Sequence, residues 1–231
     1  MASMCGDSLR VSIFGQSHSP AIGCSVDGLP AGIPIDLDRL QAFLDRRAPG
    51  SSDTSTTRRE ADAVEFIAGI TEGHTNGAPI AAIIRNRDMR SSDYSELRRV
   101  PRPGHADWTA AIKYGEHRDV AGGGHFSGRL TAPLCVAGGI ALQALEARGI
   151  KIAAHIAQLG TEPIVDEPLN PMELDEAQLD AIAANPLPCI DASAARRMHE
   201  AILQAKSELD SLGAVIECVA YNVPAGLGDP M

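Results

Sequence analysis

Residues 102–131 read RPGHADWTAAIKYGEHRDVAGGGHFSGRLT, and the rest of the chain is organised around this stretch. It contains three of the seven histidines, three consecutive glycines, several arginines and two aspartates. Its apolar residues show poor periodicity, so burial in a core does not explain its composition. Loops rich in glycine and in charges of both signs, held by a rigid scaffold, are where binding and catalysis usually occur. The sequence therefore predicts that the functional site lies here.

The composition is that of a folded globular protein, with 44% hydrophobic and 22% charged residues. A chain of 231 residues can bury a core as one large domain or as two small ones. The formal net charge of −10 argues against a nucleic acid or an anionic membrane as a partner. We find no signal peptide and no apolar run of membrane-spanning length, so the cytoplasm is the expected location. The cysteines are widely spaced without a CxxC pair, which predicts neither a disulfide framework nor a zinc site.

The segments on either side of the central stretch alternate between strand and helix patterns. Before it we expect strands at 9–14, 22–27, 63–70 and 79–84, a helix at 35–47 and a polar loop at 51–57. After it we expect helices at 133–148, within 170–184 and at 191–212, and strands at 151–159 and 215–223. The first two strands should form a hairpin that places His18 at its turn.

Arginines and histidines in loops are the candidate binding and catalytic groups. Pro103 and Gly104 restrict the backbone, so Arg102, His105 and Asp107 should be presented in a defined geometry. A guanidinium group donates two parallel hydrogen bonds and therefore suits phosphate and carboxylate. Histidine can deliver a proton near neutral pH. The sequence also leaves plainer explanations open. The arginines could be solvated surface charges, the histidines could bond to nearby backbone, and the three glycines could form a flexible turn.

A metal site is a further alternative. The histidines and aspartates of the central stretch form a potential ligand set, but their spacing matches no standard site, and the adjacent arginines would repel a cation. We therefore expect no metal. The residues themselves indicate an enzyme that binds a phosphorylated and carboxylated anion and uses histidine as an acid.

Several motifs, in order along the whole chain, resemble those of chorismate synthase. They include Gly15-Gln16-Ser17-His18, Asp45-Arg46-Arg47-Ala48-Pro49-Gly50, Thr57-Arg58-Arg59-Glu60-Ala61-Asp62 and the Arg-Pro-Gly-His-Ala-Asp string at 102–107. The resemblance implies an α+β fold, a β-α-β sandwich of antiparallel sheets flanked by helices, and a single domain over 1–231 whose C-terminal part is missing. It also implies a homotetramer.

The activity implied by the resemblance is the last step of the shikimate pathway, which leads to the aromatic amino acids. The enzyme is a carbon–oxygen lyase that converts 5-enolpyruvylshikimate 3-phosphate to chorismate and phosphate by anti 1,4-elimination. The family requires reduced FMN (FMNH2), although the reaction involves no net redox change. Bifunctional members also use NADPH to reduce the flavin.

The resemblance also assigns roles residue by residue. His18 matches the histidine near the departing phosphate, and His105 matches the one that protonates the reduced flavin. The family's arginines that bind the anionic groups of the substrate are matched by Arg47, Arg102 and Arg129. In bifunctional members, the arginine that matches Arg47 has also been linked to NADPH. The turn that contacts the flavin is matched by His125, Phe126 and Ser127.

The chain departs from the family pattern at several positions. Its turn reads Gly-Gly-Gly-His-Phe-Ser-Gly-Arg-Leu-Thr at 122–131 in place of Gly-Gly-Gly-Arg-Ser-Ser-Ala-Arg-Glu-Thr. Asp53 stands where many members have an arginine, which disfavours NADPH use, and Ser19 stands where a glycine is usual. The family's C-terminal flavin contacts and its Arg-His-Asp motif are absent. If residues 1–231 are the whole polypeptide, we predict impaired flavin binding and little or no turnover. The alternative is a catalytically incompetent fragment that folds or associates without tight flavin binding.

Overall fold

The computed structural model describes residues 3–48, 61–87, 96–185 and 187–228. The chain divides into two structural units, residues 1–144 and 145–231. The single domain expected over 1–231 remains a prediction. The polar loop predicted at 51–57 lies outside the described residues, as do Arg58, Arg59 and Arg90.

An antiparallel sheet built on the predicted N-terminal hairpin dominates the first unit. In chain order the elements are β1 (Met4–Cys5), β2 (Arg10–Gly15), β3 (Ala21–Asp27), α1 (Leu37–Asp45), β4 (Val64–Ala68), β5 (Ile70–Thr71), β6 (His74–Thr75), β7 (Ile80–Arg85), α2 (Asp107–Tyr114) and α3 (Thr131–Glu146). The strands of the sheet follow the order β1-β2-β3-β7-β4, and β5 pairs with β6 in a separate small hairpin.

The core of the first unit lies between the central strands and two helices. Alternate residues of β3 and β7 point to one face of the sheet and are fully buried, among them Ile22 and Ile84. The apolar residues of α1, including Leu40, and those of α3 pack on this face. Gly139 permits their close approach, because a Cβ at this position would lie 2.4 Å from Leu40 Cδ1. This packing gives the site a rigid scaffold.

The predicted elements of the first unit are confirmed, with shifts at their ends. Asp36 caps α1 by accepting a hydrogen bond from the backbone N–H of Arg39, as expected. The strand expected at 63–70 is divided into β4 and β5 at Gly69, whose φ of 89° is not that of an extended strand. The helix α2 was not predicted, because its eight residues make only about two turns and offer too short an apolar pattern to recognise.

One helical segment, Gly128–Glu146, is long and apolar enough to cross a membrane by length and composition. This finding differs from the expectation that no apolar run reaches that length. The segment contains α3, and 56% of it is buried inside the protein, as is common for a core helix. Its apolar character is therefore explained by its packing.

The second unit is a three-stranded antiparallel sheet with two helices. In chain order its elements are β8 (Lys151–Leu159), β9 (Ile164–Val165), α4 (Glu176–Ala184), α5 (Ala192–Ser207) and β10 (Ala214–Tyr221). The strand order is β10-β8-β9. Leu159 packs with Met198 of α5, and Ala153 packs with Ile182 of α4.

The predicted elements of the second unit are confirmed except at the end of the long helix. We expected it to run to Leu212 with Leu209 on its apolar side, but α5 ends at Ser207. Leu209 has a φ of 59° and is 96% exposed. This left-handed backbone conformation cannot continue a right-handed helix, so the prediction was wrong here.

A buried histidine links the strands of the second unit. His155 of β8 is 1% exposed, with its Nδ1 at 2.8 Å from Asp166 Oδ2 and its Nε2 at 2.7 Å from Glu217 Oε2 of β10. Glu217 also accepts a hydrogen bond from the backbone N–H of Leu169. These bonds hold the pKa of the Glu217 carboxyl below its ordinary value of 4.5.

Replacement of Glu217 by Gln should destabilise the protein in a pH-dependent way. Folding lowers the pKa of Glu217. The contribution of Glu217 to the unfolding free energy is therefore present in full above pH 4.5 and is lost as the pH falls through the lowered pKa. The variant should lose about 1–2 kcal/mol of unfolding free energy at pH 7, a modest value because the side chain is 35% exposed. Denaturant unfolding at several pH values measures this.

Glu176→Gln is the matched control, since Glu176 forms an exposed ion pair with Lys151 in the same unit. The control should change unfolding free energy by less than about 0.5 kcal/mol. A Glu217→Gln penalty that is the same at pH 3.5 and pH 7 would contradict the assignment.

Candidate active site

Three consecutive glycines form the centre of the site. Gly122, Gly123 and Gly124 have φ values of 58°, 84° and 57°, a left-handed run that side chains rarely permit. A Cβ at Gly122 would lie 2.4 Å from His18 Nδ1, and a Cβ at Gly123 would lie 2.7 Å from His105 Nε2. Both distances are shorter than real Cβ contacts. The glycines therefore bring the backbone against the two predicted catalytic histidines.

The turn that carries His18 is fixed on two sides. The backbone N–H of Ser17 donates to the carbonyl of Gly124, which joins this turn to the glycine run. The Oγ of Ser19 lies 2.9 Å from the backbone N of Gln16 and from its carbonyl oxygen. Ser19, a departure from the family pattern, thus closes the turn with its own hydroxyl.

The Arg-Pro-Gly-His-Ala-Asp string folds around its own carboxylate. Asp107, at the start of α2, accepts from Nε and Nη2 of Arg102 at 2.8 and 3.0 Å, and from the backbone N–H of Arg102 at 3.0 Å. Its Oδ1 also lies 2.7 Å from Nδ1 of His105. A carboxylate at Nδ1 leaves Nε2 as the ring nitrogen that faces the glycine run.

Asp107 stays ionised in this environment. The hydrogen bonds from the Arg102 side chain hold the pKa of its carboxyl well below the usual range, although its burial acts in the opposite direction. Asp107 is 6% exposed, so the pair with Arg102 is screened little by water. The group can therefore fix both Arg102 and His105 over the whole physiological pH range.

Arg47 and Arg129 meet at a second buried carboxylate, that of Asp62. Nη1 of Arg47, which follows α1, lies 2.5 Å from Asp62 Oδ2, and Nη1 of Arg129 donates to Asp62 Oδ1. The Asp62 side chain is fully buried, while those of Arg47 and Arg129 are 23% and 3% exposed. Two of the three predicted substrate arginines thus share one counterion.

Asn86 connects this arginine pair to the His18 turn. Its Oδ1 accepts from Nε of Arg129 at 3.2 Å. Its Nδ2 donates to the carbonyls of Gln16 and Ser19 at 3.1 and 2.7 Å, on either side of His18. The two carboxylates, the arginines and both histidines are therefore joined by a continuous series of contacts.

The turn predicted to contact a flavin follows the glycine run directly. The rings of His125 and Phe126 have centroids 4.1 Å apart, and Tyr114 of α2 meets His125 edge-on at 5.6 Å. Ser127 accepts from the backbone N–H of Arg129 through its hydroxyl. His125 is exposed and Phe126 is half-buried, so this chain presents aromatic rings where the family pattern has arginine and serine.

Arg118 and His117, two further residues of the central stretch, differ in their surroundings. Arg118 donates to the carbonyls of Gly115 and Arg98, so it holds loop backbone together. His117 is exposed at the end of a short 3₁₀ turn. Among the described residues, no group of three or more His, Cys, Asp or Glu side chains is placed to hold a metal ion.

The sequence predicted the cations of the site and Asp107, but not the other two groups that hold these cations in place. The structure brings together all five predicted catalytic and substrate-binding residues, which are His18, Arg47, Arg102, His105 and Arg129. Asp62 and Asn86 were not singled out. The signal that could have indicated Asp62 is the need of buried arginines for a carboxylate partner.

Replacement of Gly123 by Ala should displace the His105 ring. Its left-handed φ of 84° and the 2.7 Å approach to His105 Nε2 leave no room for a methyl group. Gly149→Ala is the matched control, because Gly149 has a φ of 77° and no described atom lies within 4 Å of the place that a Cβ would occupy. Both variants should lose about 1–2 kcal/mol from backbone strain.

Only Gly123→Ala should also shift the imidazole resonances of His105, which a two-dimensional NMR spectrum of the histidine side chains would measure. Unchanged His105 resonances in that variant would show that the glycine does not contact this ring.

Known proteins of one family match this chain along nearly its whole length. A family model described as chorismate synthase matches residues 9–231. The chorismate synthase of Lancefieldella parvula is 45% identical over 241 residues, which cover 100% of this chain and 63% of that protein. The chorismate synthase of Aeropyrum pernix is 45% identical over 225 residues, which cover 97% and 58%.

A crystal structure of chorismate synthase matches with a TM-score of 0.70 at 26% identity, covering 96% of this chain and 61% of that one. The expected α+β fold class with antiparallel sheets flanked by helices is confirmed. The chain spans 58–63% of the length of the two relatives named above. With matched motifs along its whole length, this chain belongs to the chorismate synthase family.

Proposed function

We propose that this chain performs the reaction of its family, the conversion of 5-enolpyruvylshikimate 3-phosphate to chorismate and phosphate with reduced FMN. In this anti 1,4-elimination the C–O bond to phosphate and the C6–H bond break and a new carbon–carbon double bond forms. Chorismate, phosphate and a proton leave, so the reaction has no net oxidation.

The observation that supports this proposal best is the placement of both imidazoles against one glycine run, with paired guanidinium groups beside them. His18 and His105 contact adjacent glycines, and the Arg47–Asp62–Arg129 cluster is tied to the His18 turn through Asn86. A substrate with a phosphate and two carboxylates needs several cations close to a proton donor. This cluster provides both in one place.

The residues around the glycine run also fit a flat cofactor. The exposed ring of His125 lies against Phe126 directly after the glycine run, with the two ring centroids 4.1 Å apart, so aromatic surface is available there for a flat ring. His125, Phe126 and Ser127 would then hold the flavin. Reduced FMN, when bound, supplies an electron to the substrate and recovers it.

The two histidines would manage protons in this reaction. His18 would donate a proton to the phosphate as the C–O bond breaks. The Nδ1 of His105 is held by Asp107, so its Nε2 would be the atom that donates a proton on the side of the flavin. Arg102 is fixed on the same carboxylate and would bind a carboxylate or phosphate oxygen of the substrate.

Three further properties implied by the family are proposals for this chain: a homotetramer, a cytoplasmic location and NADPH as a reductant of the flavin. Arg47 is the residue linked to NADPH, and its guanidinium is already engaged by Asp62. The alternative for the chain as a whole is a folded fragment that does not bind flavin tightly. A flavin titration distinguishes the two, because only a competent site holds substrate and flavin together.

An anaerobic assay with reduced FMN and 5-enolpyruvylshikimate 3-phosphate tests the proposal directly. We expect chorismate to form, at a rate below that of a full-length relative. Replacement of His18 or His105 by Ala should lower kcat by about a hundredfold or more without loss of folding.

His74→Ala is the matched control, because His74 is exposed and its side chain bonds only to a nearby backbone carbonyl among the contacts described. Its kcat should equal that of the wild type. If the wild-type chain binds neither flavin nor substrate, the fragment alternative is correct.

A further inference from the structure

Asp62 has the features of a group that organises other side chains. Its carboxylate is fully buried, and each of its two oxygens serves a different arginine, Oδ2 for Arg47 and Oδ1 for Arg129. No step of the proposed reaction falls on Asp62. A buried carboxylate between two cations nevertheless determines where those cations lie.

The backbone at Asp62 is in an uncommon conformation. Its φ is 47°, in the left-handed region, two residues before β4 begins at Val64. Aspartate and asparagine are among the few residues that adopt this conformation at low cost. Such backbone conformations persist where the surrounding contacts require them. At Asp62 the conformation accompanies the contacts of the carboxylate with Arg47 and Arg129.

Charge explains why the pair needs Asp62. Two guanidinium groups held together repel each other, and this repulsion is strong where water is excluded. The two arginines alone carry a charge of +2, whereas the three groups Arg47, Asp62 and Arg129 together carry +1. The cluster can then stay assembled while it remains cationic enough to attract an anion.

Arg129 has a donor left over for such an anion. Its Nε is bound by Asn86 and its Nη1 by Asp62, whereas its buried Nη2 has no hydrogen-bond partner among the residues that the structure describes. A buried N–H group without an acceptor is costly, so an acceptor supplied by a ligand would be favoured.

We propose that Asp62 is a positioning residue that holds Arg47 and Arg129 together as one receptor for a phosphate or carboxylate group beside the His18 turn. The identity of the anion rests on the proposed function, whereas the ordering of the two guanidinium groups does not. Asp62 itself touches no substrate.

The direct test is Asp62→Asn in the full chain. Asparagine keeps the left-handed backbone and the shape of the side chain, but its amide nitrogen cannot accept from an arginine. We expect the affinity for 5-enolpyruvylshikimate 3-phosphate and for inorganic phosphate to fall by about tenfold or more, with KM more affected than kcat.

Glu65→Gln is the matched control, because it also replaces a carboxylate that binds an arginine. Glu65 accepts from Arg85 at 2.8 and 3.0 Å, and both side chains are exposed. The control should leave both affinities unchanged. Wild-type affinity in Asp62→Asn would overturn the role of Asp62 while leaving the proposed function intact.

A second measurement needs no substrate and does not depend on the folding of Asp62→Asn. Rotation of the Arg47 and Arg129 guanidinium groups in the wild-type chain can be followed by nitrogen-15 NMR, with signals assigned through Arg47→Lys and Arg129→Lys. We expect both rotations to be slow, and to become faster in Asp62→Asn where that variant folds. If they are as fast as in an exposed arginine, the proposal is wrong, even when the chain binds no phosphate at all.

Discussion

The left-handed backbone of Gly122–Gly124 is the constraint on which the site depends. It lets one short segment contact the imidazoles of His18 and His105, which come from turns far apart in the sequence. Any side chain at Gly122 or Gly123 would occupy the space of a ring. The carbonyl of Gly124 then fixes the distance to the His18 turn by accepting from Ser17. The glycine run at 122–124 therefore determines how His18 and His105 are placed, and is more than a flexible turn.

Around this loop, two buried aspartates balance the arginines. Asp107 holds Arg102 and His105, and Asp62 holds Arg47 and Arg129. Each carboxylate gives these buried or half-buried cations an acceptor of opposite charge. An acidic protein can in this way keep a small cationic region, because each arginine is fixed by a specific partner.

The sequence predicted regular elements well where one physical signal dominated. Alternation identified the strand Lys151–Leu159, and an apolar helical pattern identified α3. It failed at α2, where short length and mixed charge hide the pattern, and at Leu209, where a left-handed residue ends α5 early. The motifs indicated roles for the candidate histidines and arginines but none for Asp62, which ends the motif at 57–62 and lies 67 residues before Arg129 in the sequence. Contacts at such separations depend on the folded sheet.

The central claim is tested most directly by the proximity of the two imidazoles to the glycine run in the wild-type chain. Nuclear Overhauser spectra with labelled glycine and histidine would report it. The account predicts cross-peaks from the ring of His18 to the α-protons of Gly122 and from the ring of His105 to those of Gly123. If either ring shows no cross-peak to these glycines in the folded protein, the two histidines do not share one site and the account is contradicted.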